Sequence, residues 1–163
     1  MRLVVADTGP INYLILIEAI EVLPRLFEAI FVPRAVHDEL ANVDAPTVVR
    51  AWVAQVPAWL EVRANPDWKT NDDAVALDEG ERAAIALAVA IGAELILMDD
   101  RAGVAFAYQQ GLTVTGTLGV LDLAARRGLI DLAVAIGRLK ATNFRCRPEI
   151  MDALLAHHSE RQK

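Results

Sequence analysis

Carboxylates are the residues of this 163-residue chain whose types and spacing could do chemistry. Asp7 stands at the end of Leu3-Val4-Val5-Ala6, a small apolar run that Gly9-Pro10 then stops. Asp99-Asp100 closes a second apolar run, Glu94 to Met98, in the same way. Glu39 lies in a short helical stretch after Pro33, and Glu81 heads an alanine-rich one in Asp78-Glu79-Gly80-Glu81. An apolar run that ends on an acid is how a buried parallel strand delivers a side chain to the carboxyl edge of its sheet, where ligands of open α/β sheets bind. Carboxylates gathered at such an edge repel one another and titrate high unless a cation neutralises them. All-oxygen surroundings suit Mg2+ or Mn2+. Such an ion can activate water and stabilise charge building on a phosphodiester.

Each acid also has a local reading. Asp7 precedes a helix start and could cap it. Glu39 alone is a surface glutamate. Asp78 and Glu81 have capping-box spacing. Against capping as the whole role of Glu81 stands the sequel Ala83 to Ile91, apolar on every side, so that the first turn of a buried helix points its acids inward. Of Asp99 and Asp100, one could cap the next helix and the other serve as ligand. Other chemistries are poorly served. There is no Gly-x-Ser-x-Gly elbow, no phosphate-binding glycine loop, and no zinc spacing among His37, His157 and His158. An aspartyl nucleophile at Asp7 would make the chain a phosphatase, but such enzymes usually want a second acid two residues on, where Gly9 stands. A non-catalytic module that binds nucleic acid or protein is the remaining alternative.

The elements that must position these residues follow from pattern. Strands are expected at Leu3–Ala6, Ala29–Val32, Trp59–Val62, Glu94–Met98 and Leu112–Thr115. Helices are expected with Pro10 at the first position and on through Ile17, around Leu23–Phe27, and at Arg34–Asn42, Thr47–Gln55, Asp78–Ile91, Arg101–Gln110, Leu118–Arg127, Asp131–Leu139 and Pro148–His158. Asn65 to Asp73 reads as a loop. Strands alternating with helices imply an α/β fold with a parallel sheet and helices on both faces.

The length fits one domain able to bury about two-thirds of its unfolded surface. A hydrophobic content of 55% and a mean hydropathy of +0.32 exceed those of a typical soluble domain, leaving apolar surface for self-association. The longest apolar run has nine residues, against the roughly twenty that span a bilayer. With no signal-peptide pattern and a lone Cys146, a soluble cytoplasmic protein is expected. The net charge of -6 argues against a surface built for non-specific nucleic-acid binding. Charge is uneven, however. Arg126, Arg127, Arg138, Lys140, Arg145 and Arg147 face only Asp131 within 126–147. That basic stretch is either a solvated face or a phosphate-contacting patch beside the acids, with Arg126, Arg127, Arg138 and Lys140 the candidates.

Taken together, Asp7-Thr8 after the first strand, Pro33 with Glu39, Gly80-Glu81 before the alanine-rich helix, and Met98-Asp99-Asp100 resemble the PIN-domain family of small metal-dependent ribonucleases. Asp99 to Arg101 and Gly111 through Leu121 look like one prokaryotic branch of it, and the similarity covers roughly residues 3 to 130. The resemblance implies a Rossmann-like three-layer α/β/α sandwich with a central, mainly parallel sheet, followed by a helical extension over about 131–163. It implies Mg2+- or Mn2+-dependent cleavage of RNA, with Asp7, Glu39, Glu81 and Asp100 or Asp99 holding the metal and the attacking water. Thr8 would hydrogen-bond within that site. Many members are toxins paired with an antitoxin protein, and many form homodimers. Met98 occupies the place where the family often has Thr two residues before its last aspartate, so both Asp99 and Asp100 stand as ligand candidates.

Overall fold

Strand β1 (Leu3–Ala6) is the axis of the sheet in the computed structural model, which describes residues 2–67 and 77–161. Val4, Val5 and Ala6 are wholly buried, as an unbroken apolar run must be when both faces of a parallel strand are covered. β1 pairs on one side with β2 (Ala29–Pro33), Val4 opposite Ile30, and on the other with β4 (Leu95–Leu97), Val5 opposite Ile96. β3 (Leu60–Arg63) flanks β2, and β5 (Val114–Thr115) flanks β4. The order is therefore β3-β2-β1-β4-β5, and every pairing is parallel. The chain steps outward from β1 to β3, then returns to the far side of β1 as β4. This reversal leaves a crevice at the carboxyl ends of β1 and β4, the position at which doubly wound sheets bind ligands.

Helices cover both faces, giving the α/β/α sandwich expected. Helix α1 (Thr8–Leu16) and α2 (Val22–Leu26) link β1 to β2, and α3 (Arg34–Leu40) and α4 (Thr47–Val53) link β2 to β3. Helix α5 (Glu79–Ile91) packs on β1, β2 and β4. Its residues Ala83 to Ala88 are all buried, and alanines at four of those six positions let its axis lie close to the strands. Helix α6 (Arg101–Gln109) joins β4 to β5 and touches α5. Helix α7 (Thr117–Arg126) packs on α1, α2 and β5, with α8 (Leu132–Lys140) and α9 (Pro148–Arg161) against it. Leu132, Ile136, Leu139 and Met151 belong to the same buried cluster as β1, so the C-terminal helices share its core. Among the described residues no helix is long and apolar enough to cross a membrane.

Some boundaries differ from expectation. Helix α1 begins at Thr8, placing Pro10 third rather than first. The first-turn N–H groups of a helix have no acceptor within it, so proline is tolerated throughout that turn. β5 is shorter than Leu112–Thr115, although the Thr113 carbonyl already accepts from Ile96 N–H at 2.9 Å. Of the expected loop 65–73, residues 68–73 lie outside the described residues.

Helix α5 offers a test of this packing. Ile85 is fully buried while Val89, one turn on, is 43% exposed. Ile85→Ala is expected to lower unfolding stability by about 3 kcal/mol, and Val89→Ala by less than about 0.5 kcal/mol, in urea titration. Equal losses would show that α5 does not bury the face described.

Candidate active site

Five elements carry acids to the β1–β4 crevice. A cleft of about 720 Å³ is lined by Asp7, Thr8, Glu39, Asp78, Glu81, Asp99 and Asp100, together with Asn12, Tyr13, Arg101 and residues 143–147. The chain reaches Asp7 directly from β1, and Asp7 N–H donates to the Leu97 carbonyl (2.9 Å), pinning the two strand ends together. Asp7 occupies the N-cap position of α1 but makes no side-chain cap bond, so its carboxylate is left to the cleft. At α5 the cap is Asp78, whose Oδ1 accepts from Glu81 N–H at 2.7 Å. Half of the capping box thus forms, and the Glu81 side chain lines the cleft. Asp100 caps α6, its Oδ2 accepting from Gly103 N–H at 3.2 Å. Asp99 is held otherwise: Thr117 donates from its backbone N–H to Oδ1 (2.7 Å) and from its hydroxyl to Oδ2 (2.6 Å). Thr117 is wholly buried, and sequence reading overlooked it. Glu39 Oε2 accepts from the Thr8 hydroxyl at 2.8 Å.

Two glycines make this closeness possible. A Cβ on Gly80 would stand 2.6 Å from Glu39 Oε2, and one on Gly116 would stand 2.6 Å from Asp99 Oδ1. Only a residue without a side chain lets the N-termini of α5 and α7 come so near these carboxylates, and those helix ends carry partial positive charge.

The acids remain under electrostatic load. Burial pushes the Asp7 carboxyl up to about 7, with a backbone hydrogen bond at Thr8 opposing and the charges of Asp78, Glu39 and Asp99 adding. Burial and the charges of Asp78, Asp100 and Asp7 push Glu81 up to about 8. Glu39 and Asp99 are also raised by burial, against the opposing hydrogen bonds from Thr8 and Thr117. Asp7 is only 7% exposed and forms no ion pair among the described residues. An all-oxygen set around a buried, uncompensated carboxyl fits a hard divalent cation in kind. In position the set is open: among the described residues no three acidic, His or Cys side chains converge closely enough to hold an ion.

The basic residues are placed differently from expectation. Arg126, Arg127, Arg138 and Lys140 do not line the cleft. Arg126 pairs with Asp122 (3.3 Å), Arg138 with Glu18 (3.7 Å), and Lys140 with Asp152 (3.4 Å). Arg126, Arg138 and Lys140 sit in the last turns of α7 and α8, where cations suit the helix dipole, and that local role explains their clustering. The cationic lining comes instead from Arg101, Arg145 and Arg147. The basic run in the sequence pointed to the region and not to these side chains.

The raised carboxyls have a measurable consequence. Both Asp7 and Glu81 hold protons in the folded chain at pH values where the unfolded chain has lost them, so stability falls as pH rises between about 4 and 8. In divalent-free buffer the thermal midpoint should drop across that range. Asp7→Asn, neutral throughout, should flatten the drop and stabilise the chain near pH 8 by about 2 kcal/mol. A midpoint rising with pH, or no gain from Asp7→Asn, would contradict the burial described.

No curated protein matches the chain. A PIN-domain family model does, over residues 3–160. That match runs from the first residue of β1 into the last turn of α9 and takes in every element that brings an acid to the crevice. The chain belongs to the PIN-domain family, whose members are generally nucleases.

Proposed function

We propose that the chain is a divalent-metal-dependent endoribonuclease that uses Mg2+ or Mn2+ to cut RNA phosphodiester bonds. The observation that carries this reading is the collection of Asp7, Glu39, Glu81, Asp99 and Asp100 in one cleft of a PIN-domain chain, with Asp7 buried and unpaired among the described residues. Asp7, Glu81 and Asp100 or Asp99 would hold the ion. When bound, the ion supplies activation of water and stabilisation of charge on the phosphodiester. The chain's own groups do the rest. Thr8 fixes Glu39 Oε2, which leaves the other oxygen to orient the attacking water and take up its proton. Thr117 keeps the Asp99 carboxylate at one orientation through two donors. The strand ends that carry Asp7 and Asp99 are fully buried at Val5, Ala6 and Leu97, and the low-dielectric sheet behind the site strengthens the charge interactions in it.

The same reading makes the chain a cytoplasmic homodimer and the toxin of a toxin–antitoxin pair. Resemblance to the prokaryotic branch and the surplus of apolar residues support those parts. A second reading, a non-catalytic module that binds nucleic acid or protein, draws on the splay of the acids, since no three of them converge among the described residues.

Cleavage of RNA with Mg2+ or Mn2+ by the intact chain and by Asp7→Asn tests the first reading. Losing several kcal/mol of charge stabilisation is expected to slow cleavage about a thousandfold. Equal rates, or activity that survives a chelator, would overturn it. The second reading expects no rise in thermal midpoint with either ion, whereas an ion bound only by the folded chain must raise it.

A further inference from the structure

One wall of the cleft comes from a part of the chain without acids. The connector between α8 and α9, residues 141–147, contributes Asn143, Phe144, Arg145, Cys146 and Arg147 to the lining. Phe144 and Cys146 pack it against the core, and Tyr13 of α1 holds it at the cleft. The Tyr13 hydroxyl donates to Asn143 Oδ1 at 2.9 Å, and the Tyr13 and Phe144 rings meet edge to face with centroids 4.9 Å apart. Arg145 and Arg147 are exposed, and neither forms an ion pair among the described residues, although acids line the same cleft. Asp99 and Arg145 line the same cleft, and the charges of both reach the Tyr13 hydroxyl, yet the two form no ion pair with each other. Guanidinium groups meant to neutralise those acids would close on them. Held apart, they leave room for an anion between.

We infer that Arg145 and Arg147 grip the RNA backbone opposite the acids, with Tyr13 as the positioning residue that docks their connector. The inference rests on the ribonuclease reading above. A phosphodiester in this gap meets the cation-holding acids on one side and forked donors on the other, and guanidinium geometry matches phosphate oxygens two at a time. Because the chain as a whole is acidic, attraction to RNA has to be concentrated in such a local patch.

The test is steady-state cleavage of a short unstructured RNA by the full chain, R145Q/R147Q and Tyr13→Phe, at several salt concentrations. The double variant should raise KM about tenfold with kcat little changed. Its log–log salt slope should flatten by about 1.4, or about 0.7 for each phosphate no longer neutralised. Tyr13→Phe should raise KM in the same direction while keeping the salt slope, since both arginines remain. The thermal shift produced by Mn2+ should equal that of the intact chain in both variants. If R145Q/R147Q does not fold, R145K/R147K replaces it, with KM raised and the slope retained. Cleavage by the intact chain with KM and slope unmoved in the variants would overturn this inference alone. An intact chain that cleaves no RNA with either ion would overturn the ribonuclease reading, and this inference with it.

Discussion

Carboxylates held close together in a partly buried crevice repel one another, and most of what surrounds them answers that repulsion. Because β1 and β4 run parallel and adjacent, the acids that follow them arrive at one edge of the sheet. Keeping them there without a counter-charge takes hydrogen-bond donors and helix N-termini. Thr117 and the start of α7 serve Asp99, Thr8 serves Glu39, and Gly103 N–H serves Asp100. Asp7 has the deepest burial and only a backbone hydrogen bond at Thr8 against it, Glu81 has no opposing donor, and these two accordingly carry large upward shifts. A site built in this way stores the free energy that a cation would release on binding.

The sheet was legible because a buried parallel strand needs an unbroken apolar run, and an acid at its end breaks the pattern visibly. Asp7 and Asp99-Asp100 stand out for that reason. The competing cap readings could not be settled by spacing alone. Asp78 takes the cap of α5 and frees Glu81, whereas Asp7, equally well placed to cap, does not do so. Which acid caps depends on side-chain rotamer and on neighbours distant in sequence, and no local pattern encodes either.

The basic wall was legible only as charge density. Arginines at the ends of α7 and α8 look the same in sequence as those on the connector, yet the first group pairs with nearby acids and the second faces the cleft. The connector is docked by tertiary contacts, among them the Tyr13–Asn143 bond, which joins residues 130 positions apart. Thr117 was missed for a related reason: it reads as an ordinary helix-start threonine until β4 brings Asp99 beside it.

The two residues that set the opposite walls of the crevice are six positions apart on one stretch of chain. Asp7 ends β1, and Tyr13 lies on the helix that follows. One short stretch at the start of α1 therefore touches both the acids and the connector that faces them. A boundary drawn after Leu129 would keep every carboxylate of the cleft and discard the connector residues that line it opposite Tyr13. The family match likewise runs through the C-terminal helices to residue 160.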